Sequence, residues 1–175
     1  ILMSTAQEKF FSEALSRRHD VICDGRTGEP DILLKDIQRE LECKLTSPHK
    51  SGAISFQTDY ETLLKKGNLD YLYVVADNEF DKFAVIHYTD LTIEDFRKLS
   101  SGSRGKTQMK KYAANDRARI LLGSLESIND RELSKLSKKI IEAKTEKQRQ
   151  KIKKSVNYWK STPTKYTISM ESIHA

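Results

Sequence analysis

Residues 39–45, Arg-Glu-Leu-Glu-Cys-Lys-Leu, alternate polar and apolar without a break, and a period of two is satisfied by a β-strand with one buried face. Leu41, Cys43 and Leu45 then face a core, while Glu40, Glu42 and Lys44 project to the other side. Just upstream, Asp31-Ile32-Leu33-Leu34 is a compact apolar run, separated from the alternating segment by the short turn Asp36-Ile37-Gln38. Two strands joined this closely form a hairpin. The chain must therefore build a sheet around residues 31–45 and cover its apolar face with something else.

The flanking pattern supplies the cover. Ser4 with Gln7 has the spacing of a capping box, and Phe10, Phe11, Ala14 and Leu15 recur at helical intervals, which predicts a helix over about Thr5–Arg18. A short strand is expected at Val21–Cys23, followed by turn-rich residues 25–30 and a loop at 47–52. Ile54, Phe56, Tyr60, Leu63 and Leu64 suggest a second helix running to about Lys66 and stopped by Gly67. Strands are expected at 71–76 and 83–87, and a short helix opening on a Thr cap at 92–99. Helix, three strands, helix and two strands imply an α/β sandwich with a central mixed sheet, because a helix between the third and fourth strands makes a parallel crossover natural.

Beyond residue 100 the pattern changes. Residues 101–106 are small, polar and basic and read as a loop. Residues 130–159 form one long helical segment without Gly or Pro, whose apolar positions Leu133, Leu136, Ile140, Ile141, Ile152, Val156 and Trp159 are sparse. The reading is a core over 1–100 and a basic, mostly helical extension over 101–175. Charge follows the same division: residues 1–100 hold 13 Lys+Arg against 18 Asp+Glu, and residues 101–160 hold 17 against 6. Arg104, Lys106, Lys110, Lys111, Arg117 and Arg119 are the densest group, and Lys135, Lys138, Lys139, Lys147, Arg149, Lys151, Lys153 and Lys154 continue it. Such arrays neutralise phosphates and give affinity for nucleic acid without sequence preference; the bland alternative is a solvated lysine-rich helix.

At 175 residues and 20.1 kDa the chain suits one domain with an appendage. Cys23 and Cys43 lie in apolar surroundings with no C-x-x-C neighbour, which fits a reducing compartment. No run approaches the roughly 20 apolar residues of a membrane span, and no signal-peptide pattern is present. The expectation is a cytoplasmic or nucleoid-associated protein that is not secreted. Neither a Ser/His/Asp arrangement, a P-loop nor a dinucleotide fingerprint occurs.

The chemistry-bearing group is Pro30-Asp31 followed eleven residues after Asp31 by Glu42-Cys43-Lys44. An acid opening one strand and an acid in the middle of its neighbour bring carboxylate oxygens toward one hard cation, and Mg²⁺ takes one or two carboxylates plus water and substrate phosphate. Lys44 projects from the same face as Glu42, where it can orient an attacking water, lower its pKa or offset developing charge. The alternative is an intrastrand ion pair on a surface strand.

These residues resemble the pattern that names the PD-(D/E)xK nucleases, the restriction-endonuclease-like superfamily, over roughly residues 4–88. The resemblance implies that Asp31 and Glu42 are metal ligands and Lys44 the catalytic lysine, with Mg²⁺ as cofactor and Mn²⁺ as its substitute. Members of the family, Holliday-junction resolvases among them, often add a first-helix glutamate to the metal site. Glu8 fills that role here, with Glu13 its rival, and an ordinary first-turn acid is the other reading of Glu8. Some branches place a glutamine after the lysine strand, and helicase-linked exonucleases follow it with tyrosine. Gln57 and Tyr60 correspond, at a spacing one residue shorter; the resemblance implies a catalytic Gln57 that touches metal-bound water or phosphate, and Gln57 is otherwise an exposed helix residue. Viral cap-snatching relatives carry an upstream histidine, loosely matched by His19, which as a helix C-terminal residue needs no such role. The implied function is a metal-dependent endonuclease acting on double-stranded DNA as a homodimer, of restriction or homing type. A junction resolvase, an RNA endonuclease and a non-catalytic nucleic-acid-binding module are the alternatives.

Overall fold

The computed structural model describes residues 2–25, 29–47, 54–110 and 113–161. Helix α1 (Leu2–Leu15) leads into strands β1 (Val21–Ile22), β2 (Ile32–Leu34) and β3 (Arg39–Thr46). Strand β4 (Gln57–Asp59), helix α2 (Tyr60–Lys66), and strands β5 (Asn68–Ala76) and β6 (Phe83–Thr92) follow. Strand β7 (Lys106–Gln108), strand β8 (Ala118–Gly123), and helices α3 (Leu125–Glu142) and α4 (Glu146–Ser161) complete the described fold. The main sheet is six-stranded and mixed, ordered β1-β2-β3-β5-β6-β8, with β3 and β5 parallel and the other neighbours antiparallel. The parallel pair needs a crossover, and α2 lies in that connection.

Alternation along β3 works as its sequence requires. Leu41 and Cys43 are buried with Phe11 of α1, Ile32, Leu34, Leu72 and Val85 on one face of the sheet. The opposite face carries the larger core: Tyr71, Tyr73 and Val75 from β5, Ile86 and Tyr88 from β6, Leu63 from α2, Phe96, and Ile128 from α3. Tyr71 and Tyr73 stack with ring centroids 5.4 Å apart, and Tyr73 meets Phe56 and Tyr88 edge-on. Burying aromatic surface of this size contributes most of the stabilisation available to a domain this small.

Several expectations are corrected. Helix α1 already includes Leu2, so the backbone of Ser4 lies inside it and not at its N-cap. Residues 54–59 are not helical: Gln57–Asp59 is a strand paired with β7, and α2 starts only at Tyr60, where the Asp59 carboxylate accepts from the Thr62 amide at 3.2 Å. Strand pairing with a distant partner outweighs local helical spacing here. Gly67 stops α2 as expected, at φ 83°, with its amide on the Leu63 carbonyl. The helix expected at 92–99 is one 3-10 turn, Ile93–Asp95, because Phe96 returns to extended backbone and bridges Met109.

The expected boundary at residue 100 runs through the fold. β7 pairs with β4, and β8 is the sixth strand of the main sheet, so residues 106–123 belong to the core. The single long helix is also corrected to two, broken at extended Ala143. Thr145 Oγ1 accepts from the Gln148 amide while Gln148 Oε1 accepts from the amides of Lys144 and Thr145, a reciprocal cap that starts α4. The side chains of Leu133, Leu136 and Trp159 lie outside the described residues. Arg131 ties α3 to the β5–β6 connection through Asp77, Glu79 and Asp81. No described helix is long and apolar enough to cross a membrane.

One glycine bears on stability. Gly123 ends β8 at φ 75°, and a Cβ there would run into the Phe83 carbonyl oxygen. Gly123→Ala is expected to cost about 2–3 kcal/mol from backbone strain and overpacking, read as a lower urea midpoint at unchanged slope; no shift in midpoint would contradict the placement of β8.

Candidate active site

Asp31, Glu42 and Lys44 come together because β2 and β3 form the hairpin that the sequence pattern requires. Ile32 is opposite Leu41 and faces α1, so Asp31, one residue earlier, starts from the other side together with Glu42. The Cys43 amide donates to Asp31 Oδ2 at 2.7 Å, which fixes the Asp31 carboxylate beside the backbone between Glu42 and Lys44. Lys44 Nζ donates to Glu42 Oε1. Glu42 is 8% exposed and Lys44 is half-buried. Lys44 also lines a cleft of about 340 Å³ whose other wall includes Gln57, Thr58, Asp59 and Lys106.

The electrostatics are those of crowded negative charge with one lysine as counterion. Burial raises the pKa of Glu42, Lys44 opposes the rise, and Asp31 and then Asp59 reinforce it. Glu8 is also raised, by burial first and by Asp31 second, with Lys44 opposing. Burial alone would lower Lys44, but Glu42 and Asp31 outweigh it and its pKa is raised. Lys44 is thus an ammonium at neutral pH. It can donate a hydrogen bond or offset charge, and it cannot serve as a base.

The raised carboxylates give a pH prediction. A folded carboxylic acid with a raised pKa binds more protons than the unfolded chain between the two values, so stability from this group falls as pH rises through that window. A carboxyl NMR titration of the metal-free protein should place Glu42 above 4.5, and Asp31→Asn should move it downward. An unmoved Glu42 would mean that the two carboxylates are not coupled.

Of the other expected residues, Glu8 sits on α1 within electrostatic range of Asp31 and Lys44. Glu13 is instead exposed and pairs with Lys9 at 3.9 Å. Gln57 is exposed on β4 rather than on a helix, and Tyr73 Oη donates to its carbonyl at 2.8 Å. His19 is occupied by Asp36, with Nδ1 to Oδ2 at 2.9 Å, on the α1 side. Arg104, Lys106 and Arg119 are exposed. Lys110 donates to the Glu94 carbonyl, and Arg117 is held by Asp95 and the Asp90 carbonyl. Arg117 is therefore a structural cation, contrary to its expected place in a free basic cluster. Lys111 lies outside the described residues. Lys138, Lys139, Lys147, Lys151, Lys153 and Lys154 are exposed on α3 and α4.

Asp59 was not foreseen as a neighbour of Glu42. Its signal is an acid just ahead of the apolar run of α2, the pattern of a helix N-cap. Among the described residues no group of three or more His, Cys, Asp and Glu is close enough to hold a metal. Two carboxylates are a donor set that a hard cation completing its shell with water and phosphate can take, and too few for a closed four-ligand zinc site. No protein-family model matches the chain, and no curated protein matches it.

Proposed function

We propose that the chain is a divalent-cation-dependent nuclease of the restriction-endonuclease-like type, cutting phosphodiester bonds at Asp31, Glu42 and Lys44. The observation that carries this reading is the Asp31 carboxylate pinned to the Cys43 amide between Glu42 and Lys44, with Lys44 itself lining a cleft. The order α1-β1-β2-β3-β4-α2-β5, with β3 and β5 parallel, supports the same reading, since it sets the motif on a hairpin after a first helix.

When bound, Mg²⁺ or Mn²⁺ supplies Lewis-acid stabilisation of charge at the scissile phosphate. Asp31 and Glu42 would hold it, with Glu8 placed to accept a hydrogen bond from water at the edge of the site. Lys44 engages only Oε1 of Glu42, which leaves Oε2 for the cation. Lys44 then donates to a phosphate oxygen and offsets the negative charge that builds as the new P–O bond forms and the bond to the leaving oxygen breaks, while the attacking water would give its proton to Glu8 and the leaving oxygen would take one from solvent. Asp31 keeps its position through the Cys43 amide.

Double-stranded DNA is the proposed substrate, since the exposed lysines of α3 and α4 are of the kind that neutralise backbone phosphates. Cutting both strands calls for a homodimer, since each chain holds one such centre. Site-specific cleavage of restriction or homing type, junction resolution and RNA cleavage are separated by offering supercoiled plasmid, linear duplex, four-way junction and structured RNA with Mg²⁺. Discrete fragments from duplex support the first, and cutting confined to the junction or to RNA replaces it. The ion pair between Lys44 and Glu42 favours one second reading, a non-catalytic nucleic-acid-binding module, which predicts binding without cutting of any of them.

A further inference from the structure

The fold sorts the basic side chains of residues 104–119 by what they touch. Lys110 and Arg117 are committed to the protein's own oxygens. Arg104 and Arg119 are exposed, and neither lines the cleft beside Lys44. Lys106 does line it, and among the described residues it makes no ion pair or side-chain hydrogen bond.

The ribbon that carries Lys106 is rigidly set. Thr58 and Thr107 are opposite one another and 2% and 6% exposed, with Thr58 bonded to the Tyr71 hydroxyl and Thr107 to the Arg97 carbonyl. Their alternates Gln57, Asp59, Lys106 and Gln108 must take the outer face. One oxygen of Asp59 caps α2 through Thr62, and its carboxylate stays opposite Lys106, so the cleft is lined by that anion together with the Lys106 ammonium and the Gln57 amide. The cleft, at about 340 Å³, is far larger than the roughly 30 Å³ share of one water.

We infer that the outer face of the β4–β7 ribbon is a strand-binding subsite. Lys106 holds the phosphate neighbouring the one that is cut, and Gln57 hydrogen-bonds the same strand across from Lys44. This assigns Gln57 to substrate binding and not to the handling of water. The inference rests on the proposed nuclease reading for the position of the cut, but the binding it describes needs no metal.

The test is fluorescence anisotropy of a labelled duplex in EDTA across a salt series, for the wild type, Lys106→Ala, Lys106→Arg and Gln57→Ala. Lys106→Ala should weaken binding about fivefold to tenfold and reduce the salt slope by about one. Lys106→Arg should restore the slope, which a merely structural role would not produce, and Gln57→Ala should weaken binding with the slope unchanged. A Lys106→Ala protein that binds with wild-type affinity and slope overturns the subsite even if the wild type cuts DNA. Lys106-dependent binding by a protein that cuts nothing supports the subsite and overturns the nuclease reading instead.

Discussion

Tyr73→Ala is expected to lower the free energy of unfolding by about 3–5 kcal/mol. The ring is fully buried, stacks on Tyr71 and meets Phe56 and Tyr88 edge-on, so truncation removes three aromatic contacts and opens a cavity that the sheet backbone cannot collapse to fill. That is a large share of a typical total of about 5–15 kcal/mol. Tyr73→Phe separates the ring from its hydroxyl: it keeps the packing and leaves the Gln57 carbonyl without its partner, for an expected loss of about 1 kcal/mol. Urea unfolding of both variants is the check. An alanine variant within 1 kcal/mol of wild type would mean that the aromatic face does not hold the sheet as described.

Asp31→Ala is expected to reduce metal-dependent cleavage by about 10²–10³-fold, the usual loss when one electrostatic group of a reacting centre is removed. It also strips the Cys43 amide of its acceptor, which adds a stability loss of about 1–2 kcal/mol. Asp31→Asn distinguishes the two roles. Its side-chain oxygen can still accept from Cys43, so stability should stay near wild type while cleavage remains as low as in the alanine variant. If Asp31→Asn retains full activity, its carboxylate is a structural anchor for β3 and not a ligand.

The site and its fold were legible to different depths. The β2–β3 hairpin was readable because everything that defines it is local: alternation over 39–45, an apolar run just upstream and a three-residue turn between them. Gly67 was readable for the same reason. The strand at Gln57–Asp59 was not, since its partner lies about 50 residues away and nothing in residues 54–66 records that pairing. The apolar pair Ile54 and Phe56, two apart, is the trace it leaves, and it was absorbed into a helical pattern. Ala118–Gly123 was hidden by the basic residues around it, although Ile-Leu-Leu is a strand-like run. The break between α3 and α4 was missed within one long helical pattern, although Thr145 and Gln148 have the spacing of a capping box. Consequently the grouping of Asp31, Glu42 and Lys44 on one hairpin was visible from sequence, while Asp59 and Lys106 beside the cleft that Lys44 lines became visible only through the ribbon.

Incubation of supercoiled plasmid with the wild-type protein and with Lys44→Ala, each in Mg²⁺ and in EDTA, tests the central claim most directly. The account predicts nicking or linearisation by the wild type in Mg²⁺ alone, and a loss of at least about 10²-fold in Lys44→Ala. Cutting that persists in EDTA, or that Lys44→Ala performs as well as the wild type, would contradict it.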